Sequence, residues 1–335
     1  MKFVTMCFLS TSMLTLGTAM FGCGDGGSGS GGSGGSSTTT TTTTSSDTTS
    51  SGGTGGATGG TGGVTGGTGG GTGGTGGSAP LVKVGIHFEA NVGAEAFGCG
   101  KTFSGVGSPP ADVTIADFRL YVHDLALHKA DGTLVPVTLD QDGLWQYQTV
   151  ALLDFEDGSG SCQNGTSETN AVVNGTVPDG EYDGIHFKVG VPFELNHQDA
   201  AVAPSPLNLS ALFWNWLGGY KFLRIDSLPA GSDAAFNLHL GSTDCVDDGS
   251  GGVASCSRPN RPEVSLVGFD PLATPIVIDY AAVVASSDLK TNGGGPPGCM
   301  SGAMDPECGP VFAKLGIDIA DGSIHPENQV LFHAK

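Results

Sequence analysis

Ile185-His186-Phe187-Lys188-Val189-Gly190-Val191-Pro192-Phe193 places an apolar side chain at every second position for nine residues. A period of two sends successive side chains to opposite faces of an extended chain, so this run reads as a strand with one face on a core. The same alternation recurs on both sides of it. Val82, Val84, Ile86 and Phe88 alternate with Lys83, Gly85, His87 and Glu89. Phe118, Leu120 and Val122 alternate with Arg119, Tyr121 and His123, and Phe236, Leu238 and Leu240 surround His239. Val264, Leu266 and the run 276–280 add further strands. Asp131-Gly132, Asp142-Gly143 and Asp179-Gly180 are turn signals between the runs. The pattern predicts an all-β domain, an antiparallel β-sandwich or barrel with long loops and one or two short helices. Helices are expected over 206–217, capped by Asn208 or Ser210, and over 310–315.

Upstream of these strands the chain changes character. Its 335 residues hold 33 acids against 13 bases, a net charge of −20. That balance excludes nucleic acid as a partner, because neutralising phosphates needs Lys and Arg. Of the 58 Gly, 25 fall within residues 24–78, together with 16 Thr and 10 Ser. Such a tract has almost nothing to bury and reads as a disordered tether, with an r.m.s. span of roughly 40 Å. Residues 1–23 read as an export signal: Lys2, a mostly apolar stretch, then Ala19-Met20-Phe21-Gly22-Cys23. A Cys after a small residue, followed at once by a linker, points to lipoprotein processing. Cys23 would then carry the lipid that anchors the chain to a membrane. The expected location is the bacterial cell envelope, either periplasmic or as a lipoprotein of the outer membrane or cell surface. Residues 79–335 remain as one domain, long enough for a substantial core.

All eight His, all three Trp and six Cys (Cys99, Cys162, Cys245, Cys256, Cys299 and Cys308) fall in that domain. In an oxidising compartment six Cys imply three disulfides. Many pairings are possible. The short spacings favour Cys245–Cys256 and Cys299–Cys308, leaving Cys99 with Cys162. The domain contains no Cys-x-x-Cys pair, which argues against a Cys-rich zinc site.

Within residues 79–335 the common catalytic signatures are missing: Gly-x-Ser-x-Gly, a phosphate-cradling Gly loop, His-Glu-x-x-His and an EF-hand loop. No turnover is expected of this protein on its own. Asp154, Glu156 and Asp157, and again Asp244, Asp247 and Asp248, read as solvated loop charges rather than a glycosidase pair or a Ca²⁺ loop. His87, His123 and His239 lie on polar strand faces, and His197 follows a strand end. Exposed imidazoles that converge would suit Cu or Zn. Phe213-Trp214-Asn215-Trp216 sets two Trp two apart, ahead of Gly218-Gly219-Tyr220-Lys221-Phe222. Alone, that motif reads as core, or as the stacking platform of a binding module for glycan or protein.

Taken in order, several stretches resemble one family. They are Trp145-Gln146 with 151–156, Gly190-Val191-Pro192-Phe193 with Leu195-Asn196-His197, and 204–208. The Trp214-Asn215-Trp216 segment with Gly219-Tyr220-Lys221-Phe222 follows, then Leu238-His239-Leu240-Gly241-Ser242-Thr243. Cys299-Met300-Ser301-Gly302 and Cys308 complete the set. This is similar to the MbnP family of exported copper-binding proteins, also called metallo-mystery pair four-Cys motif proteins. The resemblance implies a partner, a dihaem peroxidase of the MauG/MbnH type that oxidises a Trp to kynurenine. Indole nitrogen is donor-only, whereas kynurenine brings an aniline nitrogen and a ketone that can ligate. Carried onto this chain, the resemblance implies copper on His197 and His239. His87 is a further candidate from its place on the strand preceding Cys99, not from the family pattern. Trp216 is the expected kynurenine, ahead of Trp214. Asp244 stands where the family pattern leads one to expect Gly.

Overall fold

The computed structural model describes residues 79–335; the signal, Cys23 and the tether lie outside the described residues. The strand Ala111–His128 is the spine of the domain. It pairs with Leu223–Pro229 through its first half and with Gly184–Val189 through its second, both antiparallel. The ten-stranded sheet built on it runs Glu263–Val267, Gly184–Val189, Ala111–His128, Leu223–Pro229, Phe236–Leu240, Gly298–Cys299, with shorter strands off that path. A six-stranded sheet runs Phe332–Ala334, Ile276–Asp279, Leu81–Val92, Val172–Pro178, Thr138–Leu139, with Glu95–Ala96 beside Leu81–Val92. The two sheets meet through aromatic edges: Phe187 lies 5.8 Å from Phe88 and 5.0 Å from Phe332, ring to ring. This is the expected all-β sandwich. Two pairings are parallel, Leu81–Val92 with Ile276–Asp279 and Phe236–Leu240 with Gly298–Cys299. All three disulfides pair as the spacing favoured.

Two local readings change and a third holds. The nine-residue alternation does not persist: the strand ends at Val189 and a helical turn occupies Phe193–Asn196. Gly190 has φ 125°, where a side chain would come within 2.8 Å of the Phe222 ring, and Pro192 has no N–H to give a ladder. The expected helix at 206–217 shrinks to one turn, Ser210–Leu212. Phe213–Asn215 is instead a strand paired with Gly219–Tyr220, because bulky aromatics favour a pleated surface and the Gly pair allows the reversal. The C-terminal helix does form, as Cys308–Leu315, and ends on Gly316 at φ 72°.

The spine departs further from simple alternation, since both of its faces are buried. Tyr121 is 0% exposed and Arg119 3%. The second face is roofed by loops: Tyr121 donates to the Pro206 carbonyl at 2.8 Å, and Tyr220 donates to that of Leu207. Under this roof the strand register builds a charge lattice. Arg119, Arg224 and His239 are successive neighbours across three strands, and Asp117 and Asp226 face each other one step along. Like charges in register would repel, so the bonds run diagonally and along the strands. Arg119 Nε donates to Asp117 at 2.9 Å, and Arg224 Nε lies 3.1 Å from the same carboxylate. Arg224 Nη2 donates to Asp226 at 2.7 Å, and His239 Nε2 to its other oxygen at 2.6 Å. Glu156 closes the far end, 3.2 Å from Arg119 Nη1.

Asp154 and Glu156 are therefore not solvated loop charges. Both are buried, Glu156 completely. A side chain on Gly165 would overlap the Glu156 carboxylate, so only glycine fits above it. Breaking one member of such a lattice leaves a desolvated, uncompensated charge. Arg119→Met should cost about 3–5 kcal/mol in a chemical-denaturation experiment. Lys83→Met, which breaks the exposed pair with Asp140, should cost about 0–1 kcal/mol.

Candidate functional site

His239 ends the lattice. It is 5% exposed, not the exposed imidazole that alternation implied. Its Nε2–H is committed to Asp226, and its Nδ1 is buried with no hydrogen-bond partner among the described residues. Burial pushes the Asp226 carboxyl up, but the bonds from His239 and Arg224 outweigh it and hold the group below its ordinary range. An ionised carboxylate on one ring nitrogen with a free lone pair on the other is the arrangement that supports metal-binding histidines.

His197 is set by its neighbours on the Phe193–Asn196 turn. Buried Asn196 accepts from the Tyr220 N–H at 2.9 Å through Oδ1, which turns its Nδ2 donor toward His197 Nε2 at 3.1 Å. The Nδ1–H of His197 then donates to the Trp216 carbonyl at 3.1 Å. The tautomer follows: Nε2 carries the lone pair, and it lies 3.5 Å from Cys256 Sγ. Burial holds the imidazole below its usual pKa, with the charge of Arg261 adding to the effect, so it is a neutral ligand at pH 7.

The paired tryptophans take different environments. Trp216 is 42% exposed, and its carbonyl is the one bound to His197. Trp214 is half-buried and lies over Gly241, where a side chain would overlap its ring and come within 2.7 Å of the Tyr220 carbonyl oxygen. Gly241 directly follows the Phe236–Leu240 strand, so Trp214 packs at the strand end that carries His239. Trp214, Leu217, Pro296, Met300 and Cys245 line an open cleft of about 580 Å³. Asp244 lies beside it at φ 53°, which accounts for the expectation of Gly there; Asp is among the few other residues that accept that backbone.

One group of three possible ligands is close-set among the described residues: His197, Cys245 and Cys256, with all ligand atoms within 4.8 Å of one another. Both cysteines are in a disulfide. His239 is outside that group. His87 is exposed on Leu81–Val92, opposite Val172 in the other sheet. His123 is buried, so it is no surface ligand; burial holds it down to about 4. Sequence reading missed Asp226 and Asn196, which orient the two histidines. The Leu195-Asn196-His197 stretch was the available signal for Asn196. Asp226 becomes visible only once the strand register is known.

A family model described as MbnP matches residues 82–301. The chain belongs to the MbnP family. MbnP from Methylosinus trichosporium has a solved structure similar to this one, with a TM-score of 0.69 at 30% identity. The match covers 76% of this chain and 98% of that one. No curated protein matches the chain. The match supports the sequence resemblance and the fold together.

Burial raises the Asp154 carboxyl to about 7, against the opposing charge of Arg119. Unfolded, the group ionises near 4. Between those values the native protein holds a proton that the unfolded chain has lost, so this group's contribution to stability falls as pH rises and levels off above about 7. The wild type should therefore lose stability relative to Asp154→Asn, by at most about 1.4 kcal/mol per pH unit across that window. Parallel urea titrations at several pH values read the difference; a constant difference would refute it.

Proposed function

We propose that this MbnP-family domain binds copper, with His197 Nε2, His239 Nδ1 and an oxidised tryptophan as ligands. The observation that carries the reading is His239: a buried imidazole with Nε2 tied to an ionised carboxylate and Nδ1 left free. Neutral imidazole suits copper in either common oxidation state. The indole of Trp216 can offer no lone pair until it is opened, and as kynurenine it can. Trp216 is the residue we assign to that change. Its ring is the exposed one of the pair, within reach of an external oxidant, and its carbonyl is held by His197. Trp214, packed against Gly241, serves as the cleft wall.

The oxidant in this reading is a dihaem peroxidase of the MauG/MbnH type, with this protein as its substrate and no turnover of its own. Copper when bound adds redox and Lewis-acid capacity. The chain's own residues hold the ligand atoms, fix the tautomers and shield the His239 end from water. Export through the signal, with Cys23 lipidated and residues 24–78 as a tether, would place the domain at a membrane of the cell envelope.

The test is metal analysis and peptide mass mapping of the protein from its native host, or after coexpression with the dihaem partner. Bound copper, and a Trp216 peptide that has gained one oxygen and lost one carbon, are the expected results. His239→Ala should weaken copper binding by at least about tenfold, since even indirect supporters of a ligand cost that much. Unmodified tryptophans and no copper would overturn the reading and return the Trp214 cleft to a stacking platform.

A further inference from the structure

The Cys245–Cys256 disulfide differs from its two companions in its surroundings. Cys162, Cys299 and Cys308 are all at most 1% exposed, so each of the other disulfides has a sulfur sealed in the core. Both Cys245 and Cys256 are half-buried, and Cys245 lines the open cleft beside Trp214. An external thiol can reach this bond first.

The cysteines also sit directly opposite one another, in register on a two-stranded hairpin, Thr243–Asp247 with Val253–Arg258. The hairpin has anchors other than its disulfide. Arg258 donates to Asp244 at 3.0 Å and to the carbonyls of Ile319 and Ala320 at 2.7 and 2.8 Å. Cutting the S–S bond would leave the two sulfurs facing each other. The third group is already in place: His197 Nε2 lies 3.5 Å from Cys256 Sγ, accepting from Asn196 Nδ2 until a metal displaces that amide, with Nδ1–H tied to the Trp216 carbonyl. That carbonyl is the outer support a metal-bound imidazole requires.

We propose that reduction of Cys245–Cys256 opens an alternative metal site, in which the two thiolates and His197 Nε2, drawn away from the ligand set proposed above, hold a soft, closed-shell cation such as Cu(I). The reductant is a dithiol. Its thiolate attacks one sulfur, passes through a mixed disulfide and leaves as its own disulfide. The Sγ–Sγ bond gains two electrons and two protons, giving two thiols. Metal binding then releases those two protons as two metal–sulfur bonds form. Two thiolates and one imidazole are a soft donor set that selects such ions over hard ones. The inference does not rest on the oxidised tryptophan: it concerns the reduced protein, with indoles intact.

The experiment uses the full exported chain. Graded treatment with dithiothreitol, quenching with iodoacetamide and peptide mapping give the order of reduction. Cys245 and Cys256 should be alkylated at a lower dithiol concentration than the other four. After anaerobic removal of the dithiol, Cd(II) serves as the closed-shell probe, read by its thiolate-to-metal charge-transfer absorption. One equivalent should develop the band in the reduced chain and none in the oxidised chain. Cys256→Ser should lose it. His197→Ala should keep both thiols but bind at least about tenfold more weakly. The double variant Trp214→Phe/Trp216→Phe, in which neither position can become kynurenine, should keep the band, which separates this site from the copper reading. Earlier alkylation of another pair, a full band in Cys256→Ser, unchanged affinity in His197→Ala or loss of the band in the tryptophan variant would each overturn the proposal.

Discussion

Arg119 lies between Asp117 and Glu156 on a strand whose two faces are both out of water. This is the constraint on which the site depends. A guanidinium so placed must be fully compensated, and the carboxylates that compensate it need their own partners. The demand passes to Arg224, then to Asp226, then to His239. Each step crosses to the next position of the strand lattice, so register and charge satisfaction are one requirement. A slip of one residue would turn every charged group of that strand into the sandwich core. The lattice is costly to bury and adds little net stability for that reason. Its physical use is specificity: it ties three strands to one register and fixes the orientation of the imidazole at its end.

The sandwich was legible because period-two alternation survives wherever one face of a strand stays on the core, as in Leu81–Val92 and Phe236–Leu240. It failed in the spine, where Arg119, Tyr121 and His123 looked outward by pattern and are buried by the 204–217 loop and its neighbours. A loop that covers a sheet leaves no periodic trace. The same loop defeated the helix expected at 206–217, because local propensity could not weigh the pairing of Phe213 with Tyr220 across the Gly218-Gly219 turn. Acids at 154 and 156 looked like loop charges for a related reason: their cations, Arg119 and Arg224, are far away in sequence. His197 and His239 were singled out by motif order. Their tautomers were not, since these depend on Asn196, Asp226 and a backbone carbonyl.

The two histidines solve the same problem by different means. His239 is oriented by charge: its N–H goes to an ionised carboxylate. His197 is oriented by neutral groups, an amide and a carbonyl. The fold thus orients one imidazole by a charged partner and the other by neutral ones.

That difference bears on the Trp214–Trp216 segment. Gly241 and Gly218 leave room for the Trp214 ring, Gly219 adopts φ 75° against Asn196, and the Trp216 carbonyl reaches His197. A change at either ring is therefore felt by a ligand: displacing Trp214 disturbs the strand end that carries His239, and moving the backbone at Trp216 removes the acceptor that fixes the His197 tautomer. Without that acceptor the Nδ1–H of His197 loses its partner, and Asn196 alone is left to hold the ring. The glycines are thus the positions that let aromatic side chains and histidine tautomers be set by one short hairpin, and the hairpin is the element through which any chemistry at the tryptophans would reach the two imidazoles.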